Sequence, residues 1–303
     1  MSRSELPEET IMKPAPFEYV APDSLEQAAS LAAQHGADAK LLAGGQSLIP
    51  AMNFRVVQPA MLIDLNRIAE LRYVRPEADG SLAIGAMTTQ HELETNSLVA
   101  DRTPLLFETL PYIAHPQIRN RGTIGGSLVH ADPAAELPVI ALACGARLKA
   151  RSVEGERWIE VGDFFRGMFV TDLSEQEILT EIVLPPLPRR TGWSFMEASR
   201  RRGDYAMMGL AAMVSLNDDG ACNAARLVYL NAGDGPIEAS QAADALTGKK
   251  PEATTFDEAA AIASEKEIDP LGNVHASIAF QRHLARILTR RALQQAFARA
   301  SGR

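Results

Sequence analysis

Lys40-Leu41-Leu42-Ala43-Gly44-Gly45-Gln46-Ser47-Leu48 reads as a short apolar strand running into two adjacent glycines and a hydroxyl. A strand that ends on glycine exposes successive backbone N–H groups that no side chain shields. Such a turn forms a nest suited to a diphosphate, and the Ser47 hydroxyl adds a donor. The plainer alternative is a tight strand-to-helix turn in which Gly-Gly supplies positive φ, and for this loop alone that alternative is preferred. The loop is neither G-x-G-x-x-G nor a P-loop, because no Lys-Ser/Thr pair follows the second glycine at the required spacing.

Outward from this loop the pattern is α/β. Upstream, Leu25, Ala28, Ala29, Leu31 and Ala32 form a helical stripe that stops near His35-Gly36, and Ser24 with Gln27 predicts a capping box. Downstream come a helical turn around Pro50–Phe54 and a buried strand, Met61–Leu65. From Arg72 to Pro185 short strands take over, with Ser81–Gly85, Ala146–Ala150 and Glu177–Leu184 the clearest, and helices at Gln90–Leu98 and Leu105–Tyr112. Pro185-Pro186-Leu187-Pro188 marks a boundary. Beyond it lie strands at Thr191–Glu197, Leu210–Leu216 and Ala225–Leu230, a turn at Asn217–Gly220, and helices at Asp257–Glu265 and Ile278–Ala300.

A second glycine loop, Gly122-Thr123-Ile124-Gly125-Gly126-Ser127, precedes His130, Asp132 and Glu136. Two hydroxyl-bearing glycine loops in one domain make a shared phosphate-bearing ligand as good a reading as two unrelated turns. Asp132 with Pro133 predicts a helix N-cap followed by proline at N1. Glu136 then falls too late to cap, which leaves it free to bond a ligand hydroxyl. A third stretch, Glu197-Ala198-Ser199-Arg200-Arg201-Arg202-Gly203-Asp204-Tyr205, carries three arginines that read as a solvated face. Tyr205 is either half-buried at a strand edge, which is preferred, or stacked on a planar ring. Phe164, Phe165, Met168 and Phe169 read as core; His35, His91, His115, His275 and His283 show no partner pattern.

Composition narrows the function. The 303 residues are 46% hydrophobic and 22% charged, which excludes a disordered chain, a collagen-like fibre and a small disulfide scaffold. Thirty basic against thirty-eight acidic residues give a net charge of −8, against nucleic acid or an anionic membrane as partner. Cys144 and Cys222 read as two free thiols in a reducing cytosol, and two cysteines are too few for an iron–sulfur cluster. The histidines form no metal motif. Met1–Thr10 has no apolar core and is not read as a signal peptide, and no 20-residue apolar window predicts a transmembrane segment. The expected location is cytoplasmic.

Taken together, Ala43-Gly44-Gly45-Gln46-Ser47-Leu48-Ile49-Pro50 with Met61–Asn66, then Pro116-Gln117-Ile118-Arg119-Asn120-Arg121-Gly122-Thr123-Ile124-Gly125-Gly126 through Glu136-Leu137-Pro138, and finally Arg201–Ala206 resemble the flavoprotein subunits of the molybdenum hydroxylases. The resemblance runs from about Phe17 to Ala292. It implies an α+β chain: a two-subdomain PCMH-type FAD-binding domain over 11–188 (subdomains about 11–66 and 67–188), then a C-terminal domain, 189–303, with a small antiparallel sheet and helices. It implies that Lys40, Ala43, Gly44, Gly45, Gln46, Ser47 and Leu48 wrap the FAD diphosphate, and that Ile113 and Ala114 line the cofactor's path. Thr123, Gly125, Gly126 and Ser127 would complete the cradle, His130 and Glu136 would lie toward the flavin, Ile178 or Leu179 would pack near the isoalloxazine, and Tyr205 would gate it.

The same resemblance implies an electron-transfer subunit that binds FAD non-covalently and passes electrons from [2Fe–2S] clusters on a small subunit to an external acceptor. A large subunit would carry molybdopterin, in a dimer of heterotrimers. Gln46 stands where several relatives have His, so any imidazole role is lost, and Glu197 stands where some have Lys. A Gly45→Asp change is expected to abolish FAD binding. Two other readings compete: a self-sufficient FAD oxidase of the vanillyl-alcohol-oxidase type, and a non-catalytic ligand-binding module.

Overall fold

The computed structural model describes residues 13–302, so the Met1–Thr10 reading lies outside the described residues. Three sheets divide the chain. The first is parallel, with β1 (Glu18–Val20) and β2 (Ala39–Leu42) flanking β3 (Met61–Asp64). The helix Leu25–His35 packs on it through Leu25, Ala28, Ala29 and Ala32. Ser24 caps that helix by accepting from Gln27 N–H at 3.3 Å. The Gln27 side chain, however, accepts from Asp23 N–H rather than Ser24 N–H, so the expected box closes one residue early.

The second sheet is antiparallel. It takes β4 (Val74–Pro76), β5 (Leu82–Gly85), β6 (Arg147–Ser152) and β7 (Gly155–Glu160), while β8 (Phe165–Gly167) and β9 (Val170–Thr171) form a separate hairpin. β10 (Ile178–Leu184) runs between β5 and β6 and is buried at all seven positions. Its charged residue, Glu181, is neutralised by Arg75 and Lys149 at 3.3 and 3.0 Å and bonded by the Tyr73 hydroxyl, as a buried carboxylate requires.

Between β5 and β6 the chain is helical, in shorter pieces than the periodicity predicts. Asn96 accepts from the N–H groups of Leu98 and Val99 and starts a new helix, Ser97–Arg102, after Gln90–Glu94. The segment 105–112 is likewise a helix, Pro104–Thr109, ending in a 3₁₀ turn. Phe164 is fully buried and Phe165 partly so, but Met168 and Phe169 are exposed, because they form the tip of the β8–β9 hairpin and not a core strand.

The third sheet is antiparallel, in the order β11 (Thr191–Ala198), β12 (Met208–Leu216), β13 (Cys222–Leu230) and β14 (Ile237–Glu238). The 23-residue helix Ile278–Ala300 covers one face. It comes so close that a Cβ on Gly192 would collide with the backbone of Ala296 and Ala300. Trp193 and Phe195, on the opposite face of β11, join the core of the second sheet. Arg299 donates to Glu108 at 2.8 Å and to Trp193 O at 3.0 Å, which ties the last helix to the middle of the chain.

Candidate cofactor site

The first glycine loop leaves β2 and enters the helix Leu48–Asn53. Gly45 takes φ +73°, a left-handed conformation that favours glycine. The loop is held from behind: Asn66 donates to Ala43 O at 2.8 Å, and Gln46 donates its side-chain amide to Gly44 O at 3.0 Å. Ile49 N–H bonds Gly45 O and Ala51 N–H bonds Ser47 O. The N–H groups of Gly44, Gly45, Gln46, Ser47 and Leu48 meet no acceptor among the described residues. Ser47 is exposed and makes no capping bond with its hydroxyl. The result is a nest of consecutive donors without a protein partner among the described residues. Lys40 is exposed on β2, two residues before the strand ends.

The second loop lies against the first. A Cβ on Gly44 would sit 2.8 Å from Arg121 C and from Gly122 Cα, and closer still to Arg121 O; one on Gly126 would lie 3.4 Å from Ala43 Cβ. The two loops therefore converge on one seam. They do not offer free amides equally. Gly122 N–H bonds Ile118 O, Ile124 N–H bonds Thr88 O and Gly125 N–H bonds Ala86 O; Gly126 N–H bonds the Thr123 hydroxyl at 3.1 Å and Ser127 N–H bonds Thr123 O. Thr123 is the N-cap of the helix Ile124–His130 and spends its lone pair there. What this loop offers a ligand is closeness, the Ser127 hydroxyl and the Thr123 O–H donor. Gly125 is buried against Ala86, where a Cβ would fall 2.6 Å from the Ala86 methyl.

At the far end of that helix the chemistry turns acidic. Asp132 accepts from Ala134 N–H at 2.9 Å, and the following helix spans Glu136–Cys144 with Ala135 as N-cap. Asp132 is thus a turn residue and not the cap. Glu136 occupies the first helical position, where the helix N-terminus favours its charge. Burial nevertheless pushes Glu136 up to about 7, with Asp132 adding to the rise. Glu197, at the end of β11, is pushed up to about 8 by burial and then by Glu136. His130 is lowered by burial, against the opposing pull of Asp132, and its ring lies 5.1 Å from that of Phe169.

The 199–206 loop closes this end. Gly203, at φ +87°, rests on Ala114 and His115: a Cβ there would lie 2.7 Å from His115 Nδ1 and 2.9 Å from Ala114 O. Asn231 donates to Ala206 O at 2.8 Å, and its own N–H bonds Pro133 O at 2.7 Å, so the loop is pinned to the Asp132–Ala135 turn. Tyr205 lies in this loop, not on a strand, and 75% of it is exposed. The surroundings of its hydroxyl, then Asp132 and Glu136, raise its pKa.

Ala114 adopts φ +43° and Ile113 is buried. Both are set by Arg119, a residue the sequence reading quoted without a role. It is buried, donates to Ile113 O at 2.9 Å, and forms a bidentate pair with Glu94 at 2.8 and 2.9 Å. Gln90 was also missed; its amide packs on Gly122 and its Oε1 is buried without a partner. Ile178 and Leu179 are buried, Ile178 in the cluster that Leu41 and Ala43 pack against and Leu179 in the cluster of Ile124 and Leu128. A cleft of about 420 Å³ lined by Arg75, Lys149, Trp158 and Glu181 lies on the outer face of the second sheet and shares no residue with the glycine seam.

Residues 15–187 match the family model of the FAD-binding domain in molybdopterin dehydrogenase, and residues 193–296 match the carbon monoxide dehydrogenase flavoprotein C-terminal domain. The chain belongs to the FAD-binding flavoprotein subunits of the molybdenum hydroxylase family. It is 43% identical to the alpha subunit of the 6-hydroxypseudooxynicotine dehydrogenase complex of Paenarthrobacter nicotinovorans, covering 95% of this chain and 97% of that one. To the carbon monoxide dehydrogenase medium chain of Hydrogenophaga pseudoflava it is 37% identical, over 96% and 100%. A solved carbon monoxide dehydrogenase from that organism superposes with TM-score 0.91 at 38% identity, over 94% of this chain and 99% of that one. Quinoline 2-oxidoreductase of Pseudomonas putida 86 gives 0.90 at 37%, over 95% and 99%. Agreement over nearly the full length supports the subunit reading and sets aside the self-sufficient oxidase and the non-catalytic module. No helix among the described residues is long and apolar enough to cross a membrane.

Proposed function

We propose that this chain is the FAD-binding electron-transfer subunit of a heteromeric molybdenum hydroxylase. The observation that carries the reading is the run of partnerless amides from Gly44 to Leu48, held open beside the backbone of Arg121 and Gly122. Five donors without acceptors fit a diphosphate, whose oxygens accept charge-assisted hydrogen bonds.

FAD, when bound, supplies one- and two-electron exchange that no side chain here provides. The chain's part is to bind and orient. Lys40, Ala43, Gly44, Gly45, Gln46, Ser47 and Leu48 surround the diphosphate; Thr123 and Ser127 add hydroxyl donors, and Gly125 and Gly126 keep the second loop close. Ile113, Ala114, His130, Glu136 and Tyr205 line the flavin end, with Tyr205 shielding the ring from water. Ile178 and Leu179 act from inside the core, by supporting the helix Ile124–His130.

Attachment is non-covalent, since Gln46 offers no nucleophile. The [2Fe–2S] clusters and molybdopterin belong to a small and a large partner subunit, two cysteines being too few for a cluster, and the assembly is a dimer of heterotrimers. The chain divides at Pro188 into 11–188 and 189–303 and works in the cytoplasm, where its two thiols stay unpaired. The purified chain should bind one FAD, release all of it on denaturation, and fail to oxidise any organic substrate. Turnover of such a substrate by the isolated chain refutes the reading.

A further inference from the structure

Two side-chain amides grip the carbonyls at the start of the first glycine loop. Asn66 Nδ2 donates to Ala43 O at 2.8 Å and to Asp64 Oδ1 at 2.5 Å, so both of its hydrogens are engaged. Gln46 Nε2 donates to Gly44 O at 3.0 Å. Asp64, the last residue of β3, holds Asn66 twice, because its Oδ1 also accepts from Asn66 N–H at 2.9 Å. Its Oδ2 accepts from the Tyr19 hydroxyl, on β1, at 2.6 Å. Bonding to Asp64 raises the Tyr19 pKa, so that hydroxyl remains a donor at neutral pH. β1, β2 and β3 run parallel, and the relay from Tyr19 to Ala43 crosses their carboxyl ends, the edge at which open α/β sheets bind ligands.

These contacts reach the free amides through the geometry of the peptide unit. A trans peptide is planar, with its C=O and N–H on opposite sides. Asn66, by bonding the Ala43 carbonyl, therefore sends the Gly44 N–H the other way. Gln46, by bonding the Gly44 carbonyl, does the same for the Gly45 N–H. Such planes need holding. Glycine adopts both signs of φ, and the Gly44–Gly45 peptide has glycine on either side, so little in the backbone resists its turning over. A turned plane would put a carbonyl oxygen where the donor had been, and that oxygen repels phosphate.

We propose that Asn66, oriented by Asp64 and Tyr19, and Gln46 are positioning residues that lock the Ala43–Gly44 and Gly44–Gly45 peptides with their N–H groups turned to the FAD diphosphate. The proposal rests on the FAD reading above and deepens it. It gives Gln46 a part that requires no contact with the cofactor. The locks act on the free chain: without one, the competent loop is only a fraction of the apo-chain, and the apparent affinity falls by that fraction. Once bound, the diphosphate itself holds both planes. Losing a lock therefore slows association and leaves dissociation unchanged. Asn66 is exposed and Gln46 half-buried, so removing either bond leaves the fold in place.

The test is stopped-flow FAD binding to the purified full-length apo-chain, read by quenching of flavin fluorescence, beside denaturant melts. Asn66→Ala and Gln46→Ala should each weaken binding about three- to tenfold, the equivalent of one ordinary hydrogen bond, with the whole change in the association rate. Asn66→Asp, equal in size but without the amide donor, should be as weak as Asn66→Ala. Tyr19→Phe keeps the Asn66 bonds and should lose at most about twofold. Melting midpoints should stay at the wild-type value throughout. Affinities within twofold of wild type in both alanine variants overturn the proposal and leave the FAD reading intact. Weaker binding that comes from faster dissociation also overturns it, because the side chains would then be holding the bound cofactor and not the free loop. So does an affinity loss matched by a lower melting midpoint, which makes the bonds merely structural. A folded wild type that binds no FAD at any concentration overturns the FAD reading instead, and the positioning role with it.

Discussion

Replacing Gly44 by alanine tests whether the contact between the two glycine loops shapes the cofactor site. The new Cβ would lie 2.8 Å from Arg121 C and Gly122 Cα, and nearer to Arg121 O, where ordinary contact begins at 3.4 Å. These are backbone atoms, with no side chain to swing aside, so the loops must separate by roughly 1 Å, an overpacking that costs about 1–3 kcal/mol of stability. The same shift moves the unpartnered donors at Gly44 and Gly45 away from where a bound diphosphate would accept from them. Losing one hydrogen bond to a charged group, about 1.5–3 kcal/mol, weakens FAD binding by roughly ten- to a hundredfold. Gly122→Ala is the matched control. Its Cβ would meet the Gln90 amide, 2.9 Å from Oε1, and that side chain can rotate away. Denaturant melts of the apo-chain and FAD titration by fluorescence quenching measure both quantities. If Gly44→Ala binds FAD within twofold of wild type, the converging loops do not form the diphosphate site.

Arg119→Ala should destabilise the chain by about 3–5 kcal/mol in denaturant melts, because it strands Glu94 and the Ile113 carbonyl beside a buried void. A loss under 1 kcal/mol would show that the pair is not structural. Glu136 and Glu197, raised above their unfolded value of about 4.3, contribute stability that is fully present below that pH and is lost as pH rises through about 7 and 8. Glu197→Gln should therefore gain roughly 1–2 kcal/mol on wild type between pH 5 and pH 9, after allowance for solvent screening; equal pH slopes in thermal melts would contradict this. Burial pushes the thiols of Cys144 and Cys222 up to about 12 and about 11. Iodoacetamide at pH 8 should label neither in the folded chain and both after denaturation, as mass spectrometry would show.

Much of the architecture was legible because local rules and tertiary packing agree. The helix Ile278–Ala300 begins at its Ser277 cap and runs over the predicted span, and β10 is the strand that the apolar run 177–184 announces. The misreadings arose where a short polar side chain outranks periodicity. Asn96 breaks a helical pattern by capping a new helix, and Asp132 bonds within a turn and leaves the helix start to Ala135. Met168 and Phe169 look like core in sequence, yet they occupy a hairpin tip. At the site, glycine spacing identified both loops but could not say which amides were free, since that depends on acceptors such as Ala86 O and Thr88 O far away in the sequence. Nor could it give Arg119 a role, because an arginine between polar neighbours reads as solvated until its carbonyl partners are known.

The unequal loops also explain how one site can hold both ends of an extended ligand. The second loop spends its amides on Ala86, Thr88 and its own Thr123 cap, and in return the helix Ile124–His130 is anchored against the strand Ile178–Leu184 and the helix Glu136–Cys144. At 1.5 Å per residue its seven residues span about 10 Å. Its first turn lies beside Ala43, and its C-terminus leads through Ala131, at φ +51°, into the Asp132–Glu136 turn. The helix is a fixed spacer between the unpartnered amides of the first loop and the Asp132–Glu136 turn. A dinucleotide cofactor has the same polarity: an anionic diphosphate, then a hydroxylated linker, then a planar ring with hydrogen-bonding edges. Free amides on the second loop would add affinity for phosphate, but only by releasing the anchors that keep the two ends at this separation.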